Sequence, residues 1–167
     1  FIPYPQAPTL ENFAYIFSNP AWYLGYLNAL IYVLMNVAIS VTVAVPAAYA
    51  FSRYRFFGDR ILFFSFLAFR MMAPAILLVP FVQIFSELNL IDTHIAVAIA
   101  HCFFNVPIAV WILEGFISSL PREMDESARV DGYGLPRYFV RILLPQIAPC
   151  IAVTAFFCFM FSWVEAL

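Results

Sequence analysis

The chain has 167 residues, about one domain by length, of which 65% are hydrophobic and 11% charged. Soluble domains run near roughly 45–50% and about 25%, so the composition points to lipid as the surrounding solvent. A net charge of −2 argues for neither nucleic acid nor an acidic partner.

In chain order, "FIPYPQAPTLENFAYIFSNPAWY" comes first. Its prolines and aromatics predict an interfacial or extramembrane segment. Phe1 stands where an initiating Met would, and an apolar run reaches Leu167. The sequence is therefore expected to be an internal piece of a longer protein, and a signal peptide cannot be judged from it. A membrane-spanning helix needs about 20 mostly apolar residues. Four stretches qualify: about Leu24 to Phe51, Ile61 to Phe85, Ile95 to Ile117, and a fourth from near Gln146 to Leu167. They are apolar nearly all round. Backbone groups in lipid must be satisfied internally, so the expected fold is all-α and polytopic.

The joints are residues 52–60, 86–94 and about 118–145. Every basic residue is Arg. Arg53, Arg55 and Arg60 lie in the first joint, and Arg122, Arg129, Arg137 and Arg141 in the third. The leading segment and the second joint have none. Four passes put these two groups on opposite sides, and the positive-inside rule makes the Arg-bearing side cytoplasmic.

Polar residues inside the spans are few. Arg70 lies deep in the second stretch, where a charge is expensive and usually faces a cavity or a partner. Pro74 and Pro80 follow it and free carbonyls, by kinks that serve a pathway or packing equally well. Arg70 and Asn105 are the candidate solute-pathway residues, an interhelical hydrogen bond being the plainer reading of Asn105. His94 and His101 are poorly spaced for a metal site without further ligands. Cys102, Cys150 and Cys158 read as small packing residues. Glu114 is expected to reach water or an Arg.

The third joint is long for a link between neighbouring helices, which commonly takes two to eight residues. Ser118 and Ser119 precede Pro121, a favourable first-turn residue, and predict a helix from about Pro121 to Asp131. Gly132 is its natural stop. Gly134 and Pro136 open a second helix, "RYFVRILL", with Pro145 at its junction with the fourth span. In the first helix Leu120, Met124 and Ala128 fall near one face, and the acids and Arg129 largely elsewhere. Small residues at Ser127 and Ala128 allow another backbone to approach. A knob that docks into a soluble partner accounts for this better than a surface linker does.

The loop resembles the signature loop of permease subunits of binding-protein-dependent ABC importers. That signature is Glu-Ala-Ala, three residues, Gly, nine residues, Ile, one residue, Leu-Pro. Here Glu126, Ser127 and Ala128 are followed by Gly132, then Ile142, Leu144 and Pro145, with only Ser127 departing. "TLENFAYIFSNPAWYLGYLNALI", "AAYAFSRYRFFGDR", "LIDTH" and "FSWVEAL" resemble further landmarks of the carbohydrate and polyol branch. The resemblance implies a type I ABC importer permease fold, here a fragment with about four spans. It implies that Glu126, Ser127, Ala128, Asp131, Gly132, Ile142, Leu144 and Pro145 couple the chain to the ATPase subunits. It also implies a second permease subunit, an external solute-binding protein, and a sugar or polyol solute. That branch often has Trp-Asn-Glu where this chain has Trp163-Val164-Glu165. The missing Asn leaves the solute open and leans toward a polyol such as glycerol. No cofactor is expected on this chain. It has no G-x-x-x-x-G-K-[ST] loop, so ATP and Mg belong on the partner ATPase.

Two alternatives stand beside this. "SARVDG" resembles part of a CDP-alcohol phosphotransferase motif, but in reversed order and without the downstream acids. An ion-coupled secondary transporter would favour carboxylates buried along the spans. The candidates, Glu114 and Glu165, lie near the ends.

Overall fold

The computed structural model describes residues 10–72 and 74–166. Residues 1–9 of the leading segment, and Leu167 at the end of the fourth stretch, lie outside the described residues. All the regular structure described is helical. Helix α1, Glu11–Ser18, is short, with Phe13, Tyr15 and Phe17 exposed. After Asn19, Pro20 opens α2, Pro20–Arg53, at the position where its missing N–H costs nothing. Its 34 residues make a rod of about 50 Å, longer than the predicted span at both ends and longer than a hydrocarbon core of about 30 Å.

The predicted second span is not one helix. It divides into α3, Asp59–Arg70, and α4, Pro74–Glu87. Pro74 opens the second of these, at a first-turn position where its missing N–H costs nothing. The last turn of α3 tightens, with Met71 N–H bonded to the Ala68 carbonyl and Met72 N–H to that of Phe69. The halves have 12 and 14 residues, about 18 and 21 Å, and neither crosses a bilayer alone.

Together they line the next helix, α5, His94–Ser119. Phe69 of α3 and Phe81 of α4 both meet the ring of Phe103. Phe63 and Phe64 share a cleft with Glu114, and Phe85 shares one with Ala96 and Val97. The pair therefore forms one discontinuous antiparallel pass. Among the described residues, three uninterrupted stretches are long and apolar enough to cross a membrane: Trp22–Arg53, His94–Ser119 and Leu135–Glu165. With the broken pass this keeps the alternation of sides expected for four.

Between α4 and α5, Asn89 takes a left-handed conformation at φ 53°. Leu90 N–H reaches back to the Phe85 carbonyl, satisfying an orphan acceptor at the helix end. The Thr93 hydroxyl then accepts from Ala96 N–H and caps α5.

After α5 come α6, Glu123–Val130, and α7, Leu135–Tyr138. A π turn, Phe139–Leu143, leads into α8, Leu144–Ala166. Helix α6 is shorter than the predicted 121–131. Pro145 was expected to mark a junction, yet the helix runs through it. Proline supplies no N–H to the preceding turn, and the wide turn just before it absorbs the mismatch, with Leu144 N–H bonding to the Phe139 carbonyl.

The core forms where α2, α5 and α8 meet. Ala44 and Ala48, one turn apart on α2, are fully buried and let backbones approach closely. Val110, Leu113 and Ile117 of α5 and Ile147 and Cys158 of α8 fill the same core. The three cysteines are free and buried. Helix α3 has no buried residue.

Candidate functional site

The charged loop is built around α6. Its acids Glu123, Asp125 and Glu126 lie in the first turn and Arg129 in the last, the order that the helix dipole favours. The helix ends as the sequence predicts. Gly132 is left-handed at φ 79°, Tyr133 N–H bonds to the Ala128 carbonyl, and Gly132 N–H bonds to that of Arg129. These two bonds are the Schellman pattern.

An eight-residue helix is too short to hold itself in water, and its inward face explains how it is held. That face carries Ala128, 4% exposed, and Asp125, 8% exposed. The expectation that the acids lie away from the packed face fails for Asp125. Its carboxylate forms an ion pair with the Arg53 guanidinium at the end of α2, Nε to Oδ2 2.6 Å. The Tyr138 hydroxyl of α7 donates to its other oxygen, and the Tyr49 hydroxyl approaches that oxygen at 3.5 Å. Both charged side chains are nearly inaccessible. Removing one partner from such a pair costs about 3–5 kcal/mol, because the other charge is left buried alone.

Further bonds hold the same corner. Arg53 donates to the Leu120 carbonyl at 3.1 Å, Ser52 and Ser118 share a hydroxyl bond of 3.1 Å, and Arg122 reaches the Ser52 carbonyl at 3.5 Å. Glu114, expected to reach water or an Arg, accepts from Ser118 at 2.6 Å.

The other predicted loop residues divide by face. Glu126, Ser127, Asp131 and Gly132 are exposed, and the Ser127 hydroxyl bonds back to the Glu123 carbonyl. Ala128 packs into the chain's own core. Ile142 and Leu144 pack against that core from the π turn and the start of α8, while Pro145 is exposed. Glu126, Ser127, Arg129 and the 87%-exposed Val130 thus form a free outer face, and Asp125 and Ala128 an anchored inner one. Arg53, Tyr49, Asp125 and Tyr138 are the residues that the loop's sequence did not single out. The only signal for them was the three-residue spacing of Asp125 and Ala128, which shares a helix face.

Within the membrane passes, Arg70 is the last residue of α3, at the break. It donates to the Phe104 carbonyl of α5 at 2.6 Å, and its guanidinium lies 4.5 Å from the centre of the Phe161 ring. Pro107 has no N–H to offer the Phe103 carbonyl, so Arg70 brings a donor to the loosened turn beside it. Asn105 is 2% exposed. Its amide donates to Ser162 at 2.7 Å and to the Cys158 carbonyl at 3.4 Å. The amide of Asn36 reaches the same Ser162 at 2.5 Å, and Ser40 donates to Asn36. Ser162 of α8, accepting from both amides, is therefore the node of a polar contact joining α2, α5 and α8. The sequence also left unread the pairing of His101 with Glu165 at 3.2 Å, under the stacked ring of Tyr32.

Residues 40–167 match the family model described as "Binding-protein-dependent transport system inner membrane component". The chain belongs to that family. These inner-membrane components include a maltodextrin transport system permease protein of Bacillus subtilis, to which this chain is 32% identical over 152 residues, 91% of this chain and 55% of that protein. An alpha-glucoside transport system permease protein of Rhizobium meliloti is 30% identical over 168 residues, 98% of this chain and 44% of the relative. The chain thus spans about half the length of the curated relatives it matches. The fold is shared with a bacterial ABC transporter involved in the import of the acidic polysaccharide alginate. The TM-score is 0.72 at 22% identity, over 90% of this chain and 52% of that one. As an inner-membrane component of this family, the chain is a multi-pass membrane protein, and its apolar helices are the passes.

Proposed function

We propose that the chain is the transmembrane permease subunit of an ATP-driven importer for a sugar or polyol. In this reading it works with a second permease subunit, two ATPase subunits that bind ATP and Mg, and an external solute-binding protein. The observation that carries the reading is the loop of residues 118–145. It presents Glu126, Ser127 and Val130 outward on a short helix closed at Gly132, and it lies on the Arg-rich, cytoplasmic side.

The outer face of α6 docks into a groove of an ATPase subunit. Asp131 and Gly132 set the end of that helix. Ile142, Leu144 and Pro145 join the loop to α8, so that closure of the ATPase pair moves the membrane helices. The carbohydrate solutes in the names of the relatives support the solute class.

Arg70 borders the pathway. Non-helical backbone at membrane depth is tolerated where it is buried in protein or lines a cavity, and broken helices mark binding sites in other transporters. Asn105 contributes by holding α5 against α8 as one wall.

The test is uptake by the complete importer in liposomes, with labelled sugars and polyols and ATP supplied on the ATPase side. Uptake that needs ATP, the binding protein and this chain is expected. Uptake driven by an ion gradient without ATP would contradict the reading.

A further inference from the structure

We propose that the Arg53–Asp125 ion pair makes α6 and the tip of α2 one mechanical unit, with both side chains acting as positioning residues for coupling. The inference rests on the reading of the loop as the docking element, and it adds which membrane helix receives the motion.

Beside the covalent path through α7 to α8, two routes lead from α6 into the membrane. The covalent route toward α5 runs through Leu120, which is extended at ψ 139°, and on to Arg122. Residues 120–122 of that joint belong to neither helix, and they are held from outside, by Arg53 on the Leu120 carbonyl and by Arg122 on that of Ser52. The other route is through side chains. Asp125 sits on Arg53 at 2.6 Å with almost no solvent at either group. Arg53 also holds the Leu120 carbonyl, and Ser52 holds Ser118. The tip of α2 therefore grips the end of α5, the joint after it and α6.

A buried pair resists separation, because each charge would be left in a poorly solvating environment. The Tyr138 hydroxyl on the same carboxylate ties α7 into the unit. A push on the exposed face of α6 then reaches α2 directly. Helix α2 is a continuous 34-residue helix whose buried Asn36 contacts Ser162 of α8. The end of α5 is carried with it, since Ser118 of α5 is bonded to Ser52 of α2.

The experiment uses the assembled importer carrying Arg53→Cys/Asp125→Cys. This removes both charges together and leaves neither one buried alone. Co-purification with the ATPase subunits is expected to match wild type, since the outer face of α6 is untouched. Solute taken up per ATP hydrolysed is expected to fall about tenfold, an ordinary size for one coupling step. A short bis-methanethiosulfonate cross-link between the two cysteines is expected to restore it. A residue that only maintained the fold would lower the yield of complex without changing this ratio. A wild-type ratio before cross-linking, or uptake abolished by the cross-link, would overturn the inference.

If the cysteine pair does not assemble, Tyr138→Phe reads the same unit by removing one hydroxyl. A lowered ratio with normal assembly is expected, and an unchanged ratio overturns the proposal. Failure of the wild-type chain to co-purify with an ATPase subunit would remove the docking reading itself, and the same purification reports this before any variant is compared.

Discussion

Arg70 spans the gap between two broken structures. It is the last residue of α3, and its guanidinium donates to the Phe104 carbonyl of α5 at 2.6 Å, about one turn before Pro107. The same group lies over Phe161 of α8. One side chain thus links three helices at the level where the second pass is discontinuous.

Arg70→Leu is expected to insert normally, since a charge near mid-membrane costs about 2.5–3.5 kcal/mol on insertion scales and leucine does not. Uptake by the assembled importer is expected to fall, because the α3 end loses its tie to α5 and α8. Membrane abundance and solute uptake, measured side by side, check this. Unchanged uptake kinetics would reduce Arg70 to a packing residue.

Asn105→Ala tests the buried polar node. Interhelical hydrogen bonds in membranes average about 0.6 kcal/mol and reach about 1.7 kcal/mol. A loss of that size is expected in detergent unfolding of the assembled importer. In a double-mutant cycle with Ser162→Ala the two losses should be less than additive, since Asn105 donates to Ser162. Full additivity would place their energies elsewhere.

Topology has a direct check. A single cysteine introduced at Leu88, 60% exposed, is expected to react with an impermeant thiol reagent in intact cells. One at Val130 is expected to react only after the cells are opened. The reverse pattern would invert the orientation and put the loop outside.

Much of this was legible before the structure. The loop could be read because Gly132 and Pro136 punctuate it with residues of special backbone geometry, and because polar residues stand out in an apolar chain. The long helices α2, α5 and α8 were legible from continuous hydrophobicity. The same signal hid the end of α3 at Arg70 and the start of α4 at Pro74, since an apolar run does not change character where one helix ends and the next begins. Pro74 was the only cue, and proline inside such a run signals a kink as readily as a break. The partners that anchor α6 were not legible, although the spacing of Asp125 and Ala128 put those two on one face. Asp125 and Tyr49 are 76 residues apart, and a short acidic helix does not reveal which of its carboxylates faces inward. The role of Asn105 as an interhelical contact could be read, because a lone amide in an apolar helix needs a partner.

Gly132 offers a test of the loop's geometry apart from its contacts. Nothing lies within 4 Å of a β-carbon built there, yet φ is +79°, so the constraint is the backbone and not space. Left-handed geometry costs an ordinary L-residue roughly 1–2 kcal/mol. Gly132→Val is expected to weaken uptake strongly, and Gly132→Asn to spare most of it, since Asn tolerates that conformation. Equal effects of the two would show that the turn is not needed.

The central claim is that the outer face of α6 meets an ATPase subunit, and Glu126→Lys tests it most directly. Glu126 is exposed and takes no part in the Arg53–Asp125 anchor, so the variant should insert and fold. An unfavourable charge at a protein contact costs several kcal/mol. Co-purification of the variant with the ATPase subunits, measured against wild type at equal membrane abundance, is predicted to be lost, together with solute-stimulated ATP hydrolysis. Wild-type co-purification and hydrolysis would contradict the claim that this face is where the permease meets its motor.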